Sequence, residues 1–105
     1  MSLVVFRPEA EADLIAIALH IAADSPQRAA KVIARLRQRC AILEKHPLAG
    51  RPRGELGEGL HSLSAQPYVL LYRLVGDTAE IVAVLHGARD LPAALAARIV
   101  REDES

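Results

Sequence analysis

Aromatic residues and cysteine are scarce in this 105-residue sequence, and tryptophan is absent. The aromatic residues are Phe6, Tyr68 and Tyr72, too few to bind single-stranded nucleic acid by base stacking, which needs several aromatic platforms. The single cysteine, Cys40, excludes an internal disulfide and a cysteine-rich zinc site. Cys40 falls in an apolar stripe, so we expect a small buried hydrophobic side chain there.

Long hydrophobic runs and a secretory leader are also missing. Residues 14–23 contain no Asp, Glu, Lys or Arg, but this stretch includes His20 and is far shorter than the roughly 20 apolar residues of a membrane span. No basic, apolar and small-residue succession follows Met1. We therefore expect a cytoplasmic protein with no membrane partner.

Apolar residues are plentiful enough to form a core. They make up 51% of the chain, which argues against disorder. The length suits one domain, since domains usually have roughly 100–150 residues. No internal repeat or low-complexity tract divides the sequence, so we predict a single domain over residues 1–105.

The neutral net charge hides a segregation of charge along the chain. Residues 9–24 carry four acidic residues and no Lys or Arg, whereas residues 25–53 carry eight basic residues and only Glu44. Arginine outnumbers lysine 11 to 2, which favours hydrogen-bonded recognition of carboxylates or phosphates over diffuse attraction. The basic segment is therefore a candidate surface for an acidic protein or a polyanion.

The first half of the chain predicts a strand followed by two helices. The apolar residues 3–6 indicate a strand over residues 2–7. Pro8 suits the first turn of a helix whose apolar arc is wide enough to be covered by both a sheet and a second helix. Ser25 is a good N-cap for that second helix, which we predict to continue from Pro26 to Pro47. The short connection makes the two helices an antiparallel hairpin.

The second half predicts strands and a last helix. A loop rich in proline and glycine spans residues 47–59, and strands follow at 61–64, 68–74 and 79–86. Gly76 and Asp77 indicate a two-residue type II′ turn. This turn predicts cross-strand pairs whose residue numbers sum to 153: Tyr72 with Ile81, Arg73 with Glu80, Leu70 with Ala83, and Val69 with Val84. Residues 92–101 predict a short helix capped by Asp90.

Short motifs follow one another in a fixed order along nearly the whole chain. They are Arg7 with Pro8, Asp13 with Leu14, Ser25 with Pro26, His46 with Pro47, Gly50 with Arg51, Glu55 with Leu56, Gly59 with Leu60, Tyr72 with Arg73, and the stretch Val84, Leu85, His86, Gly87, Ala88, Arg89, Asp90. The last stretch is the most specific. In this order the motifs resemble the ParE branch of the RelE/ParE superfamily of bacterial toxins.

The resemblance implies both a fold and a function. The fold would be α+β: an N-terminal strand, an antiparallel helical hairpin packed on a small antiparallel sheet of three to four strands, and a short C-terminal helix. The protein would be the toxin of a type II toxin–antitoxin pair with a role in plasmid stabilisation, bound and neutralised by a cognate ParD-like antitoxin. The usual target in the ParE branch is DNA gyrase, whereas toxins of the RelE branch cleave messenger RNA on the ribosome.

The sequence departs from the family pattern in two ways. Such toxins are commonly basic, whereas this chain is neutral overall because of its acidic first helix and the acidic residues 102–104. His61 stands after Gly59 and Leu60, where relatives often have arginine. Both differences bear on affinity for the target.

Basic side chains form the predicted target- or antitoxin-binding set. One helix face carries four of them, at spacings of three and four residues: Arg28, Lys31, Arg35 and Arg39. We favour internal neutralisation of this face by Glu9 and Asp13 over contact with an acidic antitoxin. Arg51 and Arg53 of the loop suit a phosphate or carboxylate ligand and a solvated loop equally well. The set is completed by His86, Arg89, Leu95 and Ile99.

The main prediction is a non-enzymatic toxin that binds and inhibits DNA gyrase. The alternative is a ribosome-dependent RNA endonuclease using His61, Arg73, His86 and Arg89, with His86 expected on the face of Arg73. We favour a structural or antitoxin-contacting role for residues 86–90. A third hypothesis is an inactive toxin that acts only in autoregulation with its antitoxin.

Histidine spacing argues against bound cofactors. The four histidines are scattered without i, i+4 or paired-cysteine spacing: His20, His46, His61 and His86. The glycine-rich segments do not match a phosphate-cradling loop. We predict neither a metal site nor an organic cofactor, and the residues are compatible both with direct binding of nucleic acid and with its absence.

Overall fold

The computed structural model describes the backbone of residues 3–104 and the side chains of residues 3–96 and of Arg98. Its elements are strand β1 (Leu3–Phe6), helices α1 (Pro8–Ala22) and α2 (Pro26–Cys40), strands β2 (Arg51–Pro52), β3 (Leu60–Ala65), β4 (Tyr68–Val75) and β5 (Thr78–His86), and helix α3 (Leu91–Glu104). The predicted α+β fold class is confirmed.

The helices begin where the sequence predicts, but α2 ends earlier. Ser25 Oγ accepts a hydrogen bond from the Arg28 amide at 3.1 Å, so the predicted N-cap is confirmed. The α-helix stops at Cys40, and a 3₁₀ turn, Ala41–Glu44, replaces the predicted continuation to Pro47. The tighter turn keeps Leu43 fully buried. No helix within residues 3–104 is long and apolar enough to cross a membrane.

The sheet has five strands in the order β1-β5-β4-β3-β2. The expected antiparallel neighbours are present, and β1 is added in parallel beside β5. The chain between these two strands supplies the long crossover that parallel neighbours need. The sequence did not predict β2, because two residues in a loop rich in proline and glycine give no alternating pattern.

The β4–β5 hairpin follows the predicted register only near its turn. Gly76 has a φ of +58° and no other turn residue has a positive φ, which fits the predicted type II′ turn. Tyr72 lies opposite Ile81, and Arg73 lies opposite Glu80, as predicted. The register then shifts between Leu71 and Tyr72, so that Leu70 and Val69 lie opposite Val84 and Leu85 instead of Ala83 and Val84.

This shift is a β-bulge with a consequence for both faces of the sheet. Val82 is the extra residue, because Ile81 and Ala83 pair with adjacent residues of β4. A bulge of one residue moves every later side chain of that strand to the opposite face from the one a regular strand would give it. The pairs predicted for Leu70 and Val69 were wrong for this reason.

The sheet is buried on both faces. On one face, which we call the hairpin face, α1 and α2 pack Leu14 and Leu36 against side chains of the sheet that include Leu70, Tyr72, Ile81 and Val84. On the other, the α3 face, Leu91 and Leu95 cover Leu60, Leu71, Ala83 and Leu85. Burial on both faces explains why residues 81–85 form a continuous apolar run instead of an alternating one.

Candidate functional site

The basic face of α2 is partly engaged within the molecule. Arg35 Nη2 donates to the Gln66 carbonyl at 3.2 Å, and Arg39 Nε donates to the Ser64 carbonyl at 2.8 Å. Arg28 and Lys31 are exposed and form no ion pair with any side chain of residues 3–96 or of Arg98. The N-terminal part of this face therefore presents uncompensated positive charge.

The acidic partners of α2 differ from those predicted. The expected pairing of Glu9 and Asp13 with the basic face was wrong. Glu11 instead accepts two hydrogen bonds from Arg37, at 2.8 and 3.1 Å, and the Arg37 guanidinium lies 5.0 Å from the centre of the Phe6 ring. Arg37 belongs to a different side of α2 from the basic face. The hydrogen bonds from Arg37 lower the pKa of Glu11 and those to Glu11 raise the pKa of Arg37.

The Glu11–Arg37 pair predicts a pH dependence of stability. Because the folded state lowers the pKa of Glu11 below its ordinary 4.5, the unfolded chain takes up this proton first as the pH falls. The stabilisation is complete above pH 4.5 and is lost as the pH falls through the folded pKa. We expect the difference in free energy of unfolding between wild type and Glu11→Gln to be larger at neutral pH than in acid. Urea titrations of both proteins from neutral pH to below pH 4.5 measure this difference. A difference that grows as the pH falls would contradict the prediction.

Asp13 and Arg98 close the edge of β5 beyond the end of β1. The strand partners of β1 end at Ile81, so this edge of β5 has no neighbouring strand from Val82 onward. Asp13 Oδ2 accepts the Val84 amide at 2.8 Å, and Arg98 Nη1 donates to the Val82 carbonyl at 2.7 Å. Arg98 Nη2 joins the two by bonding both Asp13 oxygens, at 2.8 and 3.0 Å. Two side chains thereby provide the hydrogen bonds that a further strand would make.

The loop that carries Arg51 and Arg53 is anchored by a buried tyrosine. Tyr72 Oη donates to the Pro47 carbonyl at 2.9 Å and accepts the Gly50 amide at 2.9 Å. Burial raises the pKa of Tyr72, so the hydroxyl stays protonated as a donor. The anchor fixes the chain immediately before Arg51.

The two loop arginines have different surroundings. Arg53 Nε lies 3.2 Å from Glu55 Oε1, and its Nη1 donates to Ser62 Oγ at 3.4 Å, so this guanidinium is half-buried and paired. Arg51 lies in β2 opposite Ser62, is exposed, and forms no ion pair within the described residues. Of the two, Arg51 is the one that presents free charge.

The four residues of the endonuclease hypothesis do not share one face. His61 stacks on Tyr72 with ring centres 5.2 Å apart, and His86 meets Tyr68 edge-on at 5.6 Å, so both histidines lie on the hairpin face. Arg73 lies on the α3 face. The expectation that His86 shares a face with Arg73 was wrong, because the bulge at Val82 reverses the alternation of β5 between them.

Residues 86–90 form a turn between β5 and α3. His86 Nδ1 accepts a hydrogen bond from the Ala88 amide at 3.1 Å. Asp90 Oδ1 accepts the Ala93 amide at 3.2 Å, which confirms Asp90 as the N-cap of α3. Arg89 is exposed beside the hairpin face. The most specific motif of the sequence is thus in part a local turn and cap.

Leu95 is not an exposed contact residue in this structure. It is buried under α3 against the sheet, so a partner reaches it only if α3 moves away from the sheet. The side chain of Ile99 lies outside the described residues. At the edge of α3 a cavity of about 380 Å³ is lined by three guanidiniums and two carboxylates among other groups; the charged residues are Arg7, Arg73, Arg98, Glu9 and Glu80.

Cys40 is predicted to be unreactive in the folded protein. It is buried, and burial raises the pKa of its thiol to about 12. Because the thiolate is the reactive form, we expect alkylation at pH 8 to be many times slower in buffer than in denaturant. Mass spectrometry of iodoacetamide-treated protein measures this. Equal rates in the two conditions would contradict the buried position.

A group of three or more metal-ligating side chains does not occur among the described residues. Sequence reasoning missed the roles of Asp13, Arg98 and Tyr72. The signals that would have suggested a buried pair are a carboxylate beside the apolar run 14–19 and an arginine within the otherwise apolar residues 93–100, because such charges are seldom buried alone. Nothing local in the sequence indicated that Tyr72 anchors a loop 22 residues away.

Residues 4–91 match the family model described as the ParE toxin of the type II toxin–antitoxin system parDE. The chain belongs to the ParE toxin family. Two relatives are similar to this chain in sequence. Toxin ParE3 of Caulobacter vibrioides is 40% identical over 53 residues, which are 50% of this chain and 53% of that toxin. The putative toxin Y4kP of Sinorhizobium fredii is 33% identical over 79 residues, 75% of this chain and 81% of that protein. The first match thus spans about half the length of its ParE relative.

The fold of this ParE-family chain is similar to that of chains in two solved toxin–antitoxin systems. A chain of the chromosomal ParDE system from P. aeruginosa aligns with a TM-score of 0.72 at 22% identity, covering 82% of this chain and 96% of that one. A chain of the toxin–antitoxin complex RelBE2 from Mycobacterium tuberculosis aligns with a TM-score of 0.62 at 30% identity, covering 81% and 96%. The chain therefore belongs to the ParE family within the RelE/ParE superfamily.

Proposed function

We propose that this toxin inhibits DNA gyrase by binding, without cleaving a substrate, and that a cognate ParD-like antitoxin neutralises it. The separation of Arg73 from His61 and His86 by the sheet is the observation that carries the first part. Acid–base cleavage of RNA needs a proton-transfer group and a phosphate-stabilising cation around one phosphodiester. A five-stranded sheet stands between Arg73 and the two histidines here, so Arg73 does not act with either histidine on one bond.

The surface around α1 and α2 suits an antitoxin of matching chemistry. On α1, Ile15 and Leu19 are 60% and 68% exposed and stand one helical turn apart. The start of α2 adds Arg28 and Lys31 with uncompensated charge. An acidic segment with an apolar stripe would cover the apolar pair and neutralise the charges at once.

The endonuclease hypothesis keeps two supporting observations. The solved structure of the RelBE2 complex resembles this chain with a TM-score of 0.62 at 30% identity. The arginines at the edge of α3 offer phosphate-binding groups without a histidine among the described lining residues. We keep ribosome-dependent cleavage of messenger RNA as the second candidate function.

One pair of assays separates the two functions. Purified toxin is added to a gyrase supercoiling reaction and to a cell-free translation extract in which messenger RNA is followed by primer extension. We expect loss of supercoiling with intact messenger RNA. Cleavage of messenger RNA that falls with Arg73→Ala or His86→Ala, with supercoiling unchanged, would contradict the proposal. If supercoiling is unchanged and the messenger RNA also stays intact, the results would favour a toxin that serves only in autoregulation.

The antitoxin surface is tested with charge variants of α2. We expect Arg28→Ala with Lys31→Ala to weaken binding of the cognate antitoxin about tenfold, because two unpaired charges lose their partners. Lys45→Ala, which removes an exposed charge beyond the helix, is the matched control and should leave the affinity unchanged. Equal effects of the two variants in calorimetry would show that general charge, not this surface, drives binding.

A further inference from the structure

A groove at one end of the fold combines histidine, arginine and apolar side chains. Two adjoining cavities of about 500 and 450 Å³ share three side chains, His20, Tyr68 and His86. His20 comes from the end of α1, and the cross-strand pair of Tyr68 and His86 forms the open end of the β4–β5 ladder. We call the two cavities together the end groove. Its lining includes four residues of the predicted contact set, which the fold brings together with His20 and Tyr68: Arg28, Arg35, His86 and Arg89.

The charged lining of the end groove has a positive excess. Arg28 and Arg35 line one cavity together with Asp24, and Arg89 lines the other together with Asp13. Asp13 is already bound by Arg98, so its charge is compensated within the molecule. Three guanidiniums therefore face one free carboxylate, and the groove attracts an anion.

The hydrogen bonds of the rim prepare two groups as donors. His86 Nδ1 accepts the Ala88 amide, so the neutral imidazole carries its proton on Nε2, which is then a donor. Arg35 spends one of its donors on the Gln66 carbonyl, and this contact holds the guanidinium at the rim while its other N–H groups stay available. Such an array of fixed N–H donors matches the oxygen atoms of a phosphate group.

The walls of the end groove are apolar, and its size exceeds that of an inorganic ion. Ile17 and Leu85 line one cavity, and Ile21 and Val32 line the other. Volumes of about 300–1,000 Å³ are typical of sites for organic ligands. The ligand best suited to this lining carries a phosphate at one end and a flat, largely apolar body at the other.

We propose that the end groove binds a nucleotide. The phosphate is bound by His86 Nε2 and the rim arginines, and the base packs on the apolar walls beside Tyr68. The site lies on the hairpin face, away from the α3-face cavity, and it includes His86 and Arg89 of the endonuclease hypothesis. Binding of a mononucleotide requires no cleavage, so the proposal can be tested whether gyrase or messenger RNA is the target. The ligand is either a free mononucleotide or the phosphorylated end of a nucleic acid, and we favour the mononucleotide because both cavities are small.

The proposal is tested by NMR titration of the intact, isotopically labelled toxin. We expect guanosine 5′-monophosphate to shift the imidazole resonances of His20 and His86 saturably, with a Kd of about 1 mM or below. Guanosine and inorganic phosphate, each offering half of the contacts, should bind at least about tenfold more weakly. Absence of a saturable shift, or equal shifts by inorganic phosphate alone, would overturn the nucleotide site. A 5′-phosphorylated trinucleotide that binds more than about tenfold tighter would replace the mononucleotide by a nucleic-acid end.

Variants distinguish nucleotide binding in the end groove from a general effect of surface charge on binding. Arg28→Ala and His86→Gln each remove one exposed polar group of the rim, and we expect each to weaken the nucleotide about fivefold or more. Arg51→Ala and His46→Gln are the matched controls, because both residues are exposed and line neither cavity. The dispersion of the amide spectrum reports whether each variant is folded. Equal weakening by the controls, or shifts caused by an acidic peptide but not by the nucleotide, would contradict the proposal.

Discussion

Replacing Asp13 by alanine is expected to lower the free energy of unfolding by about 2–4 kcal/mol, since it leaves a mostly buried arginine without its partner. The side chains of Asp13 and Arg98 are only 17% and 16% exposed. The variant also removes the acceptor of the Val84 amide, and an unsatisfied buried donor costs about 1–3 kcal/mol. For a domain of this size the melting temperature should fall by about 10 °C or more. Urea and thermal unfolding followed by circular dichroism measure both quantities.

Asp24→Ala is the matched control for this prediction. Asp24 is an exposed carboxylate beyond the other end of α1 and its side chain makes no hydrogen bond within the described residues, so we expect a change within about 0.5 kcal/mol. Asp13→Asn keeps an acceptor for the Val84 amide, so its loss in free energy of unfolding should lie between those of Asp24→Ala and Asp13→Ala. A loss below about 0.5 kcal/mol for Asp13→Ala would show that the pair with Arg98 does not hold the β5 edge.

The closure of this edge also protects the protein from unwanted pairing. An open strand edge presents unpaired amide and carbonyl groups to any other extended chain. Asp13 and Arg98 occupy these groups at Val84 and Val82, and the bulge at Val82 twists the strand locally. The same residues connect α1, β5 and α3, so α3 is fastened to the sheet by a charged contact as well as by Leu91 and Leu95.

Local features of the fold were predictable because their cause is local. Ser25 and Asp90 cap helices through bonds to residues three positions later, and both caps are confirmed. Gly76 fixes a two-residue turn because it adopts a positive φ without a steric penalty. The residues nearest the turn, Tyr72 and Arg73, consequently pair as predicted.

The bulge and the ion pairs were not predictable because their cause is distant. A regular strand and a bulged one have the same composition, and only the demand of two buried faces selects the bulge at Val82. Asp13 is 85 residues from Arg98, a separation over which a single sequence gives no pairing signal. The bulge decides which faces of the sheet carry Arg73 and His86. The regular alternation of side chains along a strand therefore predicted the wrong face for His86, although the predicted fold class was right.

Gly50→Ala is the second change for which we expect a large effect, a loss of about 2–4 kcal/mol. A Cβ atom at Gly50 would lie 2.6 Å from the Ser62 carbonyl oxygen and 2.6 Å from the Tyr72 ring, distances that real Cβ atoms do not show. Both neighbours belong to the sheet, so the loop must move instead, and overpacking of this kind costs about 1–3 kcal/mol. The movement also breaks the hydrogen bonds of Tyr72 Oη to the loop, each worth about 1 kcal/mol.

Gly54 offers a matched control in the same loop, four residues away. A Cβ there meets no atom within 4 Å, so Gly54→Ala should be neutral or stabilising by up to about 1 kcal/mol, because it restricts the unfolded chain. Urea unfolding of the two variants measures the contrast, and Tyr72→Phe separates the hydrogen bonds from the steric clash. If Gly50→Ala were as stable as Gly54→Ala, the loop would not be anchored on Tyr72, and the position of Arg51 beside β3 would lose its structural basis.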